Sequence, residues 1–414
     1  MHVVFLSHGF PVEGLVYTSG AGNYVANMAK TLVKFGHEVT VVVEAYSNDI
    51  FEWEGICVHK IRATRGFKNT GRPMPTYKKF FKNLCRSFWY NQEVNKINKK
   101  TPIDIVQCVN TYGIGLFRRK KIPYIIRISD YPPLISGANK EEFDFNRCVN
   151  SKRLDEEMQF WALKAADTLI APSYLMKSLV EKKITKKVNV VEGPIIIDDY
   201  SLDKIEELDI ISNKYWLTYG AMSYLKEVHI LAQIIDNLLD EYPDMKYVMT
   251  GKDRELLYQG EFIKASDMYN LKIIKNRDRF IFTGEISDRK KLFSIVKNSY
   301  ACILPTRIDN LPNTCMEAMI LGKIVVSTYG TSVEQLITSG YNGFLAEIDN
   351  ADDLHSKIEL LMKMKADEKL LMEERAKERT QNLAPEVVYH QMMDIYLGVI
   401  NKKESEKKDG KGSI

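Results

Sequence analysis

Short apolar runs alternate along this chain with stretches whose apolar residues recur every three or four positions. HVVFLS (2–7) is a run of buried-strand length. GNYVANMAKTLVKFG (22–36) then sets Tyr24, Val25, Met28, Ala29, Leu32 and Val33 on one helical face and stops at Gly36. EVTVVVEA, IDIVQCV, PYIIRIS, DTLIAPS and VNVVEG continue the strands, with helices between several of them. The alternation restarts after about residue 200 with KYWLTYGAM, a helical YLKEVHILAQIIDNLLDEY and the strand MKYVMTG. DRFIFTG, a helical DRKKLFSIVKNS, YACILPT and KIVVSTY follow. Strands apolar throughout, separated by helices, predict parallel sheets covered on both faces. Two such series in a chain of 414 residues predict two Rossmann-like α/β domains facing a central cleft, with ligands at the carboxyl ends of the strands. The expected boundaries are 1–198 and 199–384, with IIIDDYSLDKIEELDIISNK (195–214) as linker. A helix over 386–400 returns to the first domain, and 401–414 forms a disordered tail.

Composition adds little until charge is mapped. Apolar residues at 45 % and charged residues at 27 % suit a globular chain. The first residues lack a basic flank and a cleavage site, so they read as a strand and not a leader. The six cysteines are scattered without C-x-x-C spacing, which suggests free thiols in a reducing cytoplasm. The net charge is only +4, yet Lys60 to Lys100 holds twelve Lys or Arg against one acid, Glu93. That asymmetry points to an anionic partner. Within it, YKKFFKNLCRSFW puts Tyr77, Phe80, Phe81, Leu84 and Phe88 on one face beside Lys78, Lys79, Lys82 and Arg86. Most of these aromatics are expected in the core; the alternative is an anionic membrane surface met by this segment. No nucleic-acid recognition module is apparent.

The candidate chemistry lies in PTRIDNLPNTCMEAMILGKIVVS (305–327). A strand ends near Thr306, a loop carries Asp309, and Pro312 suits the first turn of a helix running to about Leu321. Asn310, Asn313, Thr314 and Glu317 share one polar stripe on the half nearest the crevice. The helix N-terminus offers unpaired N–H groups to an anion.

A loop acid, seven residues, then Glu in an EAM helix resembles the E-x7-E element of family 4 retaining glycosyltransferases of the GT-B fold. The resemblance covers DNLPNTCMEAMILGKIVVSTYGTSVEQLI…GYNGFLAE closely. It extends to GHEVTVVV, FTGEIS, ADTLIAPS and TYGAMSYLKEV, the last resembling a diphosphate motif that begins at Gly220. It implies that Asp309 contacts the donor sugar and Glu317 the ribose. Asn310, Leu311, Pro312 and Asn313 would line the sugar and diphosphate, and Lys226 would neutralise the leaving group. Gly20, in the loop after the first strand, would admit the phosphates; Gly284 and Ile286 would flank the base. Glu334 falls in a family-matched loop without an assigned role.

The implied activity is transfer of a sugar from a nucleotide-diphosphate donor, UDP ranked ahead of GDP, to a glycan or polyprenyl-linked acceptor. The setting would be cell-surface polysaccharide synthesis at the inner face of the plasma membrane, without a metal cofactor. Three departures from the family stand out. Ala221 and Glu227 replace an arginine and a glycine around Lys226, and Arg307 is expected to supply the missing phosphate contact. Asp309 is shorter than the usual Glu. RISDYPP lacks a histidine, leaving Asp130 to handle the acceptor proton, so the catalytic set is Asp309, Asp130 and Lys226. An inactive sugar-nucleotide-binding subunit and a sugar-nucleotide epimerase are the rival expectations. DNADD (349–353) resembles a metal-binding D-x-D only superficially, because Asp residues before a helix cap it.

Overall fold

The computed structural model describes residues 1–15, 20–64, 66–67, 74–151, 153–197 and 214–409. They form two compact units. Unit 1 comprises Met1–Pro133, Asn150–Ile196 and Asn382–Ile414; unit 2 comprises Leu134–Val149 and Ile197–Gln381. Compared with the boundaries expected from sequence, Leu134–Val149 belongs with unit 2. Most of the expected linker, 198–213, lies outside the described residues.

Unit 1 is built on the strands β1 (His2–Ser7), β2 (Glu38–Glu44), β3 (Asp49–Trp53), β4 (Ile56–Ile61), β5 (Ile105–Val109), β6 (Tyr124–Arg127), β7 (Thr168–Ala171) and β8 (Val188–Val190). Their order is β3-β4-β2-β1-β5-β6-β7-β8, and every pair is parallel except the β3–β4 hairpin. β1 and β5 are buried along their whole length, as their β-branched runs require. The strand order reverses between β1 and β5, so their carboxyl ends open a crevice. The helices are α1 (Gly20–Lys34), α2 (Thr76–Lys100), α3 (Pro132–Ala138), α4 (Phe145–Val149), α5 (Leu154–Ala165) and α6 (Tyr174–Ile184). Of these, α4 and most of α3 fall in unit 2.

Unit 2 carries β9 (Lys214–Tyr219), β10 (Met245–Thr250), a hairpin of β11 (Glu255–Tyr258) and β12 (Glu261–Lys264), β13 (Phe280–Gly284), β14 (Ala301–Ile303), β15 (Val325–Thr328) and β16 (Phe344–Ala346). Six strands form a parallel sheet in the order β13-β10-β9-β14-β15-β16. The order reverses between β9 and β14, which puts the loop from Pro305 onward at the crevice. The helices are α7 (Val228–Glu241), α8 (Ala265–Lys272), α9 (Arg289–Asn298), α10 (Asn313–Ile320), α11 (Ala351–Lys363) and α12 (Ala366–Arg379).

The final helix, α13 (Pro385–Asp409), packs in unit 1. Tyr389 stacks on Phe35 at 3.8 Å, Lys34 pairs with Glu386 at 2.7 Å, and Val388, Met392 and Tyr396 are fully buried. Of the tail 401–414 expected to be disordered, 401–409 is helical and 410–414 lies outside the described residues. Lysine and glutamate favour helix, and Lys403 is anchored to Asp167 at 2.8 Å.

The expectation for α2 also needs correction. Its buried residues are Asn83, Arg86, Ser87, Tyr90, Asn91, Glu93, Val94 and Ile97, while Tyr77, Phe81 and Phe88 are exposed. The inward face follows its polar partners. Arg86 pairs with Glu44 at 2.7 Å, both fully buried, and Tyr90 donates to the Ser7 carbonyl at 2.6 Å.

Candidate active site

In unit 2, β9, β10 and β13 each end in a glycine of positive φ: Gly220 (125°), Gly251 (147°) and Gly284 (72°). Gly220 N–H donates to the Thr250 carbonyl at 3.0 Å, and Gly251 N–H to the Gly284 carbonyl at 2.9 Å. A Cβ on Gly251 would stand 1.7 Å from the Gly220 oxygen, so no side chain fits there. The carboxyl edge of these three strands is therefore bare backbone.

Beside it, the loop from β14 to α10 is held by its own turns. Arg307 N–H and the Thr306 hydroxyl both donate to the Leu225 carbonyl at 2.9 Å, fixing this loop against the turn that carries Lys226. Ser332 Oγ accepts from Leu311 N–H and donates to the Asp309 carbonyl, each at 2.7 Å. Leu311 is buried with φ of 66°, a conformation that costs a branched residue roughly 1–2 kcal/mol. Such outliers mark places where the surrounding structure imposes the backbone. Pro312 takes the N-cap position, one residue earlier than expected, and α10 begins at Asn313 without a side-chain cap. Its first N–H groups remain open to an anion.

Asp309 and Glu317 each hold a cation. Lys226 Nζ pairs with Asp309 Oδ2, and Arg289 Nη2 donates to Glu317 Oε1 at 2.6 Å. Asp309 also accepts from Asn310 N–H at 2.7 Å. Glu317 is buried, which pushes its carboxyl up, and the Arg289 guanidinium pulls it back. Asn313 and Thr314 are half-buried on the same helix face, and Ile286 sits half-buried in the loop after Gly284. Glu334 is exposed and accepts from Gly330 N–H at 3.1 Å. In unit 2, then, Gly220, Lys226, Gly284, Ile286 and residues 309–317 occupy one edge.

Arg307 is the correction. It is buried and fully committed: Nε donates to Asp349 at 2.7 Å, Nη1 to the Ala138 and Lys140 carbonyls, and Nη2 to the Glu141 carbonyl and His229 Nε2 at 2.9 Å. A buried guanidinium with every donor engaged has nothing left for a phosphate. Asp349 of the superficial D-x-D serves as its counter-ion, and Asn350 caps α11 by accepting from Asp353 N–H at 3.0 Å.

In unit 1, Asp130 follows β6. Asn110 Nδ2 donates to its carbonyl at 2.9 Å and to Oδ1 at 3.0 Å. The residue keeps some exposure, but its carboxyl lies deep enough that burial pushes it up to about 6, against the pull of those hydrogen bonds. His8, at the end of β1, was not singled out from sequence. Burial, then the charge of Arg86, lowers it to about 4, so it is neutral near pH 7. Gly20 lies on α1 and not in the preceding loop. Gly22 is the glycine that close approach demands, since a Cβ there would lie 2.7 Å from the Gly9 backbone.

Residues 204–381 match the family described as glycosyl transferases group 1, and residues 18–199 match Glycosyltransferase Family 4. The chain is a family 4 glycosyltransferase. An uncharacterized glycosyltransferase of Haemophilus influenzae is 28 % identical over 54 % of this enzyme and 59 % of its own length. The N,N'-diacetylbacillosaminyl-diphospho-undecaprenol alpha-1,3-N-acetylgalactosaminyltransferase of Campylobacter jejuni is 24 % identical over 69 % and 73 %. Sucrose-phosphate synthase from Thermosynechococcus elongatus superposes with a TM-score of 0.74 at 15 % identity, covering 97 % of this enzyme and 99 % of that chain. Anabaena HepE in complex with UDP and glucose gives 0.66 at 14 %, covering 95 % and 98 %. At such identities the structures establish the fold of this glycosyltransferase, GT-B.

Proposed function

We propose that this glycosyltransferase moves a sugar from a UDP-sugar to a lipid-linked or glycan acceptor at the inner face of a membrane, with retention of configuration and without a metal. The observation that carries the reading is the Lys226–Asp309 pair beside the uncapped N-terminus of α10, over a glycine edge. Glycosyl transfer builds negative charge on the departing diphosphate while the sugar becomes cationic. An ammonium and a helix N-terminus aimed at that charge lower the barrier without a metal. Asp309 orients the sugar hydroxyls, and Glu317 accepts from the ribose hydroxyls. Asp130, ionised above about pH 6, takes the acceptor proton. UDP is favoured as carrier because a related fold binds it, and a lipid-linked acceptor because a relative's name states one.

A thermal-shift panel of UDP-, GDP- and dTDP-sugars, with and without chelator, tests this. UDP-sugars are expected to raise Tm whether or not chelator is present, and Glu317→Ala to abolish that shift and donor turnover while leaving the unliganded Tm close to its original value. Full turnover by Glu317→Ala would defeat the assignment.

A further inference from the structure

The outward side of α2 carries Tyr77, Phe81, Cys85 and Phe88 at spacings of four, four and three, one stripe along the helix. Tyr77 is 57 % exposed, Phe81 56 % and Phe88 44 %. Phe117 N–H donates to Ser87 Oγ at 3.1 Å, which sets the segment after β5 beside this stretch, and Phe117 is 48 % exposed. On α5, Trp161 is 40 % exposed and meets Phe80 edge-on at 6.1 Å. Single exposed aromatics are ordinary; several along one helix and its neighbouring loop are not.

Along α2 and after Phe117 the surface charge beside them has one sign, while on α5 Glu157, one turn before Trp161, is paired with Lys183 at 2.6 Å. Lys78, Lys79 and Lys82 flank the stripe, and Arg119, Lys120 and Lys121 follow Phe117 on the surface. The one acid of α2, Glu93, is buried on the opposite face and engaged by His59 at 2.9 Å and Lys96 at 2.7 Å.

We propose that this face of unit 1 docks on an anionic lipid bilayer. The rings enter the boundary between headgroups and acyl chains, and the lysines and arginines meet lipid phosphates. The inference deepens the lipid-linked acceptor reading, on which it rests, by naming the surface that brings the enzyme to its acceptor. A second copy of the chain is the poorer occupant, because a twofold contact would set these lysines against their own copies. Among the described residues no helix is long and apolar enough to cross a membrane.

The test is co-sedimentation of the full-length protein with phosphatidylcholine vesicles, with and without phosphatidylglycerol. Binding is expected only when phosphatidylglycerol is present, and it weakens with salt. Lys78→Gln, Lys120→Gln and Lys121→Gln should each cut partitioning about fivefold. Phe81→Ser with Phe88→Ser should remove the binding that survives salt. All these variants should keep the UDP-sugar thermal shift of the parent, which certifies their fold. Vesicle binding without any donor shift in the parent protein would sink the donor assignment and leave the docking face standing. The docking face itself is overturned by equal binding to neutral vesicles, by binding indifferent to these substitutions, or by a dimer that Phe81→Ser converts to monomer.

Discussion

Glu317 and Arg289 act as one device at the scale of single residues. Burial pushes the Glu317 carboxyl up, toward the protonated form that would offer a donor where the proposed ribose contact needs an acceptor; the guanidinium at 2.6 Å opposes that shift. Arg289→Ala is therefore expected to raise KM for the donor about 10- to 100-fold, the worth of a hydrogen bond to a charged group, with kcat changed far less. Its acid limb should move to higher pH, and Arg289→Lys should recover part of both effects. Steady-state kinetics across pH reads this, and an unchanged pH profile would reduce Arg289 to a structural contact. Glu227 is a second such residue. It is buried at φ 47°, and burial together with Asp349 pushes its carboxyl from 4.5 to about 8, with Arg307 pulling back. The folded chain then holds a proton that the unfolded chain releases near its ordinary value. Stability from this group must fall as pH rises from about 4.5 through about 8. Glu227→Gln should flatten that fall and raise Tm relative to the parent above pH 8, measured by calorimetry over a pH series.

Among the elements, the three glycine-terminated strands form the edge to which the proposed reading assigns the donor. Gly251→Ala forces a methyl into the Gly220 carbonyl, and one of the two strand ends must move. The expected outcome is a lower Tm together with loss of the UDP-sugar thermal shift, because the displaced edge is the one assigned to the donor; a variant that keeps the full shift would refute that placement. The elements themselves were legible from sequence. Apolar runs and 3.6-residue periods marked β1, β2, β9, β10, α1 and α7, and the E-x7-E spacing located α10 within one residue. Even the glycine edge was readable in LTYG, VMTG and IFTG, although Gly251 went unremarked. What stayed hidden depends on contacts that no local pattern encodes. Arg307 looked like a phosphate ligand because it sits in the site loop, but its carbonyl partners lie more than 160 positions earlier in the chain. Arg289 finds Glu317 across 28 positions, and Ser332 reaches back to Leu311 and Asp309. Most aromatics of α2 are expected inward because apolar rings usually are, with a membrane-facing segment as the alternative, whereas the Glu44–Arg86 pair claims the inward face.

At the scale of the whole molecule, the chain closes unit 1 with its last helix. α13 follows unit 2 in sequence, yet its buried Tyr396 hydroxyl reaches Gln107 Oε1 on β5 while Gln107 Nε2 donates to the Tyr24 hydroxyl at 2.8 Å, so α1, β5 and α13 share one hydrogen-bond network. The Phe35–Tyr389 stack and the Lys34–Glu386 pair add to that closure. The groups assigned to the donor, Lys226, Asp309 and Glu317, and the Arg289 that holds Glu317 all belong to unit 2. Truncation after Leu383 should consequently separate the two properties. It exposes the apolar floor left by Val388, Met392 and Tyr396, at about 1.5–3 kcal/mol for each such side chain, and unit 1 should melt at lower temperature or fail to fold. The donor-dependent shift of the unit 2 transition should persist. Truncation after Ile400 deletes a segment whose residues 401–407 are mainly exposed and polar, together with the Lys403–Asp167 pair, so it should lower Tm slightly. Calorimetry of the two truncations with and without UDP-sugar distinguishes these outcomes, and a shorter chain that loses donor binding along with unit 1 would show that the donor site depends on both units.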